Sequence, residues 1–421
     1  MKILRSLIVI LIIGFFGVFS LIGQTKDYQK ANQAAQNYVH KKANKGLVVG
    51  IIKEGQMKVV GYGQLSKINK LSPDGNTLFE IGAVTSVFTT TLTKLEETKG
   101  LFKMEERIQD HFSGNVRVPS YRPEVCFVPS INGHPMDPLD PEHNYLICMP
   151  APMSAASCIT FCNLASHTSA LPNTPKGVFS WNPIKKNKQK KDPYVDFTKE
   201  DLYKNMEKVY LNYKPGSLFD YSNWGIAILG NLVADIANQS YEDLLQERLL
   251  NPLQLMDTRI TLSSNQQTRL AHGHDHRGKI KEHWHFQSMA PAIGLKSSAN
   301  DLLKFLAANM TTTNTVSENA FIEVQQSKVD TYDKILGRTS GMGYGWFTST
   351  LNEATNLPIQ WVSGGTSGFR SFIGFNKDAQ TGVVILSNAA HDVDELGFLF
   401  LEGMIGTEKK PKKMEGLQVK N

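Results

Sequence analysis

Cysteine is scarce in this 421-residue chain, and all four residues, Cys126, Cys148, Cys158 and Cys162, fall in one short stretch. That excludes a disulfide framework tying the whole body together. Cys158 and Cys162 have the look of a metal pair, but their spacing to the other two is not that of a zinc module. The pattern reads as one or two local disulfides, with three pairings open. Charge of one sign is lacking too: 45 Lys and Arg stand against 39 Asp and Glu, a balance of +6. Much of the excess sits in two runs, 185–191 and 409–413, with no interleaved aromatics. They read as solvated loop and tail or, alternatively, as contacts for an anionic surface such as lipid or envelope polymer, and no nucleic-acid motif accompanies them. Two catalytic signatures are absent altogether. No S-x-x-K and no G-x-S-x-G elbow occurs anywhere in the chain.

One long apolar run is present. Lys2 and Arg5 precede an uncharged stretch at 7–22, and polar sequence begins at Gln24. This reads as an export signal cleaved near Gln24 or, alternatively, an N-terminal membrane anchor; the run is slightly short of the ~20 residues a comfortable span needs. The expected organisation is therefore a leader at 1–23, a body at 24–405 and a basic tail at 406–421. The body lies outside the cytoplasm, periplasmic, secreted or anchored. Hydrophobic content of 41% and charged content of 20% are those of a globular protein.

In the body, 27–44 reads as a surface helix. Residues 46–52 and 57–62 read as a β-hairpin around Lys53-Glu54-Gly55-Gln56. Phe79-Glu80-Ile81-Gly82-Ala83-Val84-Thr85-Ser86 then turns tightly into a helix, with Gly100 as its C-cap. Residues 114–157 are rich in Pro, Asn, Gly and Cys and read as an inserted loop. A buried helix runs from Trp224 to Asn238, with Ile226, Leu229, Leu232, Val233 and Ile236 apolar nearly all round. His272, His274, His276, His283 and His285 cluster in what reads as an exposed hairpin. The register His272-Gly273-His274-Asp275-His276 fails as a metal string, and Gly273 to Lys279 fails as a phosphate loop because Ile280 stands where Ser or Thr belongs. Apolar runs at 344–347, 359–362, 369–375 and 382–387 read as strands, and 391–405 as a C-terminal helix.

Four of these segments resemble the serine β-lactamase and penicillin-binding-protein superfamily, in its class C-like branch. Phe79 to Thr90 resembles F-E-I-G-S-V-T-K-x-F-T. Ile159 to Pro172, with His167-Thr168-Ser169-Ala170-Leu171-Pro172, resembles I-T-x-x-x-L-L-x-H-T-S-G-L-P. Pro215 to Thr258, with Tyr221-Ser222-Asn223, resembles P-G-x-x-F-x-Y-S-N-x-G and the P-L-G-M-x-x-T that follows. Ala290 to Leu302 resembles A-P-A-G-G-L-x-S-S-A-x-D-L. The resemblance implies an α/β (α+β) fold: an antiparallel sheet built from N- and C-terminal strands, flanked by helices, with an inserted helical lobe.

It also assigns positions. The family's nucleophilic Ser falls on Ala83, its Lys on Ser86, and the cation of its third motif on Val362, in Val362-Ser363-Gly364-Gly365-Thr366-Ser367-Gly368-Phe369. Tyr221 and Asn223 match the second motif, implying proton transfer and amide binding. The backbone N–H groups of Ala83 and Gly365 stand where the family builds its oxyanion hole, and Gly364 and Thr366 line the same strand. His167 is a structural residue in the family. Ser86, Ser363 and Ser367 are further candidates to line the pocket, and Lys94 lies too far along the helix to replace the missing amine. The expectation is an exported, catalytically impaired homologue that binds a cell-wall peptide, a β-lactam-like ligand or an envelope partner, with no cofactor, metal or nucleic acid. The alternative is an active hydrolase (β-lactamase, D-Ala-D-Ala carboxypeptidase or esterase) working through a rearranged site with Tyr221 and Ser86.

Overall fold

The computed structural model describes residues 26–405, apart from 42–44, 128–129, 132–133, 136–146, 153, 155–156, 177, 179–191, 312–315, 334–336 and 352–356. The apolar stretch at 7–22, the basic tail and most of the lysine-rich loop lie outside the described residues. Among the described residues, no helix is long and apolar enough to cross a membrane.

Helix α1 (Lys26–His40) leads into strands β1 (Gly46–Lys53) and β2 (Gln56–Gly63). The two pair as expected, joined by Glu54 and Gly55 at φ +49° and +78°. Two consecutive positive φ values are what a tight two-residue hairpin between right-twisted strands demands. α1 is less of a surface helix than its polar sequence implies, since Ala31, Ala35 and Tyr38 are buried.

Short strand β3 (Phe79–Glu80) and a 3₁₀ turn (Gly82–Val84) introduce helix α2 (Thr85–Thr98). Strands β4 (Glu124–Phe127) and β5 (Ile147–Pro150) form a separate two-stranded ladder in the 114–157 segment. Helices α3 (Phe161–Ala165), α4 (Asn223–Ile236) and α5 (Ala290–Ile293) follow, then strand β6 (Lys296–Ser297) and helices α6 (Ala299–Met310) and α7 (Val316–Gln325). The chain closes with β7 (Val329–Asp333), β8 (Arg338–Met342), β9 (Phe347–Thr350), β10 (Pro358–Gly365), β11 (Arg370–Asn376), β12 (Thr381–Ser387) and helix α8 (Asp394–Ile405).

The main sheet has eight strands in the order β7-β8-β9-β10-β11-β12-β1-β2. Every neighbouring pair is antiparallel. The first strand of the chain thus lies beside the last, as the resemblance implies. Apolar runs alone did not reveal β7 and β8, because Val329-Asp330-Thr331-Tyr332-Asp333 and Arg338 to Met342 are polar.

Both faces of the sheet are covered, which is why β12 reads as an unbroken apolar run. Val383 and Ile385 face α1 and α8, packing with Leu47, Trp361, Phe372 and Phe400. Val384 and Leu386 face the opposite way, into the larger core with Phe88, Phe305 and Trp346. There the Phe88 and Phe305 rings stack at 4.0 Å, tying α2 to α6.

Of the one or two local disulfides expected, one is present: Cys126 and Cys148 are bridged, and Cys158 and Cys162 are free and part-buried. The histidine-rich segment is a hairpin, Gly273–His274 paired with Ile280–Lys281, but His274 is buried and its Nδ1 lies 3.0 Å from the Asn388 carbonyl. It is a packing residue there.

Candidate active site

The turn entering α2 is held from three sides. Ile81 N–H donates to the Leu295 carbonyl at 3.1 Å, and Leu295 N–H donates to Thr85 Oγ1 at 3.1 Å. From the sheet, Ser371 Oγ on β11 donates to the Ile81 carbonyl at 2.7 Å. Gly82 takes φ +52°, and a Cβ there would stand 2.5 Å from the Gly365 nitrogen. A Cβ on Gly364 would stand 2.1 Å from the Ile81 oxygen and 2.7 Å from the Ala83 nitrogen. These two glycines are what lets β10 press against the helix entry.

Ala83 is set apart by its exposure. From Gly82 to Glu96 every residue except Ala83 is buried, while Gly365 opposite is exposed. Turn and strand adjoin closely here, and both of these residues reach solvent. Ser86, one turn on, is 1% exposed, and among the described residues its Oγ has no hydrogen-bond partner. Thr366 Oγ1 is buried and unpartnered in the same sense. Val362 is 2% exposed and packs in the apolar core.

Tyr221 and Asn223 stand at the entry to α4, whose cap is Ser222; its Oγ accepts from Gly225 N–H at 2.9 Å. Tyr221 Oη donates to Asn223 Oδ1 at 3.3 Å. Asn173, which motif matching missed, fixes that amide: its Oδ1 accepts from Asn223 N–H at 3.1 Å and Nδ2 at 3.0 Å. Burial pushes the Tyr221 phenol well above its ordinary value. At neutral pH this hydroxyl is a proton donor, not a base.

The His167 ring stacks on Tyr221 with centroids 4.2 Å apart. Its Nδ1 accepts from Ser222 N–H at 3.1 Å, which fixes the neutral tautomer. Burial lowers its pKa to about 3. His167 thus supports the Tyr221 loop, in keeping with a structural role. His167 and Ala170 both adopt positive φ, +55° and +62°, so Ala170 carries a left-handed turn that glycine would take without strain.

The remaining serines separate. Ser363 points away from α2, to the opposite face of the sheet, where its Oγ donates to Asp394 Oδ2 at 3.0 Å. It does not line the space at Ala83, because alternate residues of a strand face opposite sides. Ser367 follows Thr366 in the bend before β11. Lys94 is taken by Glu97 and Glu323. An ion pair of this kind holds the ammonium in place on the buried helix.

A sheet closed by both chain ends, with a helix entering beneath its glycine strand, defines a serine β-lactamase and penicillin-binding-protein architecture. The chain belongs to the β-lactamase family, whose model matches residues 31–399. It is 25% identical over 380 residues to a β-lactamase of Pseudomonas fluorescens, covering 82% of this chain and 88% of the relative. It is 23% identical over 349 residues to the D-alanyl-D-alanine-carboxypeptidase/endopeptidase AmpH of Escherichia coli K12, covering 81% and 78%. Among solved structures, a class C β-lactamase from Rhodobacter sphaeroides superposes with a TM-score of 0.66 at 20% identity, covering 89% of this chain and 98% of the other. A β-lactamase/D-alanine carboxypeptidase from Yersinia pestis complexed with citrate gives 0.66 at 17% identity, covering 89% and 96%. At such identities these likenesses speak for the fold.

Proposed function

We propose that this chain is an exported β-lactamase-family protein that binds a cell-wall peptide or β-lactam-like ligand without forming an acyl-enzyme. The observation that carries this reading is the joint loss at three positions in two distant segments: Ala83, Ser86 and Val362 stand where the resemblance puts nucleophile, amine and third-motif cation. Acyl transfer needs a hydroxyl or thiol to attack the carbonyl, and a methyl group supplies none. It also needs a proton acceptor, and a Tyr221 phenol held above its ordinary value by burial is a poor one. What remains suits recognition. The N–H groups of Ala83 and Gly365 would receive a ligand carbonyl oxygen, and Asn223, fixed by Asn173, would meet its amide.

The second reading, a hydrolase working through Ser86, has one observation in its favour: a buried hydroxyl one turn from Ala83 with no partner among the described residues. Against it, an activated serine hydroxyl is hydrogen-bonded to its base, and Ser86 has no such bond to Tyr221.

Incubation of the protein with a fluorescent penicillin and with a fluorophosphonate, followed by intact mass, separates the two. Reversible fluorescence-polarisation binding with no mass adduct is expected. A stoichiometric adduct lost in Ser86→Ala or Tyr221→Phe would overturn the binding-only reading. In the double variant Ala83→Ser/Ser86→Lys, return of a covalent penicillin adduct is expected if the rest of the pocket is intact.

A further inference from the structure

We propose that Cys126, Cys148 and Glu124 form a redox-gated site for a soft divalent cation such as Zn²⁺, closed when the two cysteines are joined and open when they are reduced. The site lies on the β4–β5 ladder and is independent of the pocket at Ala83. The register places Cys126 directly opposite Cys148, and Glu124 opposite Pro150. Glu124 and Cys126 are two residues apart on one strand, so their side chains share a face. Pro150 offers no competing donor across from the carboxylate.

Both sulfurs and a Glu124 carboxylate oxygen lie within 4.8 Å of one another, and all three residues are exposed. Among the described residues this is the one group of three or more His, Cys, Asp or Glu side chains close enough to share an ion. The histidine-rich hairpin does not supply a second. Here the sulfurs are joined, so the site is in its closed form.

Exposure makes the bridge open to thiolate attack from solvent, unlike one inside a core. The opening step needs a reductant, and a dithiol supplies it. The two S–H groups of the dithiol become a disulfide, and the Cys126–Cys148 bond becomes two thiols, a transfer of two electrons and two protons. Binding of M²⁺ then releases both thiol protons to solvent. The ion is held by two thiolates and one carboxylate, with water in the fourth position. Two sulfurs and one oxygen suit Zn²⁺ or its spectroscopic substitute Co²⁺ and do not suit Mg²⁺ or Ca²⁺. Two thiolates at ~2.3 Å from one ion sit well apart, a spacing reached by side-chain rotation once the bridge is cut.

The test uses the full chain carrying Cys158→Ser and Cys162→Ser, so that Cys126 and Cys148 are its sole thiols. After reduction with a dithiol and anaerobic removal of the reagent, Co²⁺ is titrated and the absorption spectrum recorded. One equivalent should give thiolate-to-cobalt charge-transfer bands with tetrahedral d–d bands, bleached by Zn²⁺ and absent from the oxidised protein. Glu124→Gln keeps the bridge and the fold and should weaken binding by about tenfold or more, the range seen when even an outer-shell partner is lost. Alkylation of the reduced thiols should abolish the bands without any mutation at the cysteines. Absence of charge-transfer bands from the reduced protein, or equal Co²⁺ binding by the oxidised or alkylated forms, overturns the proposal. Binding through the histidine hairpin would appear as cobalt uptake without a sulfur band and counts against it.

Discussion

Gly82 is the residue on which the approach of β10 to α2 depends. Its φ of +52° strains any L side chain, and a methyl there would meet the Gly365 nitrogen at 2.5 Å. Gly82→Ala should cost ~1–3 kcal/mol, read as a lower midpoint in urea unfolding. Two buried titratable groups give opposite pH dependences. His167 is held near 3, against an ordinary 6.5. The unfolded chain therefore binds the extra proton, and the stability His167 contributes is present above pH 6.5 and lost as pH falls toward 3. Asp394 behaves in reverse: burial, helped by Asp392, raises it from 3.8 to about 7. Its contribution is full below 3.8 and lost as pH rises through 7. Asp394→Asn should thus gain stability relative to wild type at pH 8, on the order of a few kcal/mol, and little at pH 4. His167→Gln should flatten the acid side. Chemical unfolding at a series of pH values reads both.

At the scale of elements, the site is a junction between pieces distant in sequence. Ser371 on β11 ties to Ile81, and Leu295 ties to both Ile81 and Thr85. Ser371→Ala removes the donor to a buried carbonyl and should cost ~1–3 kcal/mol, measured by thermal or urea unfolding. Its partner carbonyl is on the turn that carries Ala83, so the same variant should also weaken fluorescent-penicillin binding. The β4–β5 ladder is a different kind of element. Its described side chains, Glu124 to Cys126 and Cys148 to Pro150, are exposed. Reduction of Cys126–Cys148 should therefore leave the main unfolding transition nearly unchanged, seen by calorimetry with and without a dithiol. Strand reading followed the same physics. β12 was legible because both its faces are buried, whereas β7 carries Asp330 and Asp333 at the sheet edge and offers no apolar pattern.

For the whole molecule, the resemblance of four segments to the family's motifs implied the fold, and the eight-stranded antiparallel sheet with β1 beside β12 agrees with it. The same resemblance sets the family's nucleophile, amine and third-motif cation on Ala83, Ser86 and Val362, and which residue stands at each position is a property of sequence alone. The chain by itself determined that no side chain at Ala83 can attack a carbonyl. Only the tertiary structure decided which neighbours complete the site. Asn173 fixes Asn223 across fifty positions of chain, Ser363 turns to Asp394 and away from the pocket, and Val362 sinks into the core. It decided the cysteines as well, joining Cys126 to Cys148 and leaving Cys158 and Cys162 apart. The reason is the same in each case. Composition and spacing fix what a residue can do, but direction and partner depend on strand register and on which face of the sheet a side chain takes, and both are set by contacts between segments far apart in sequence.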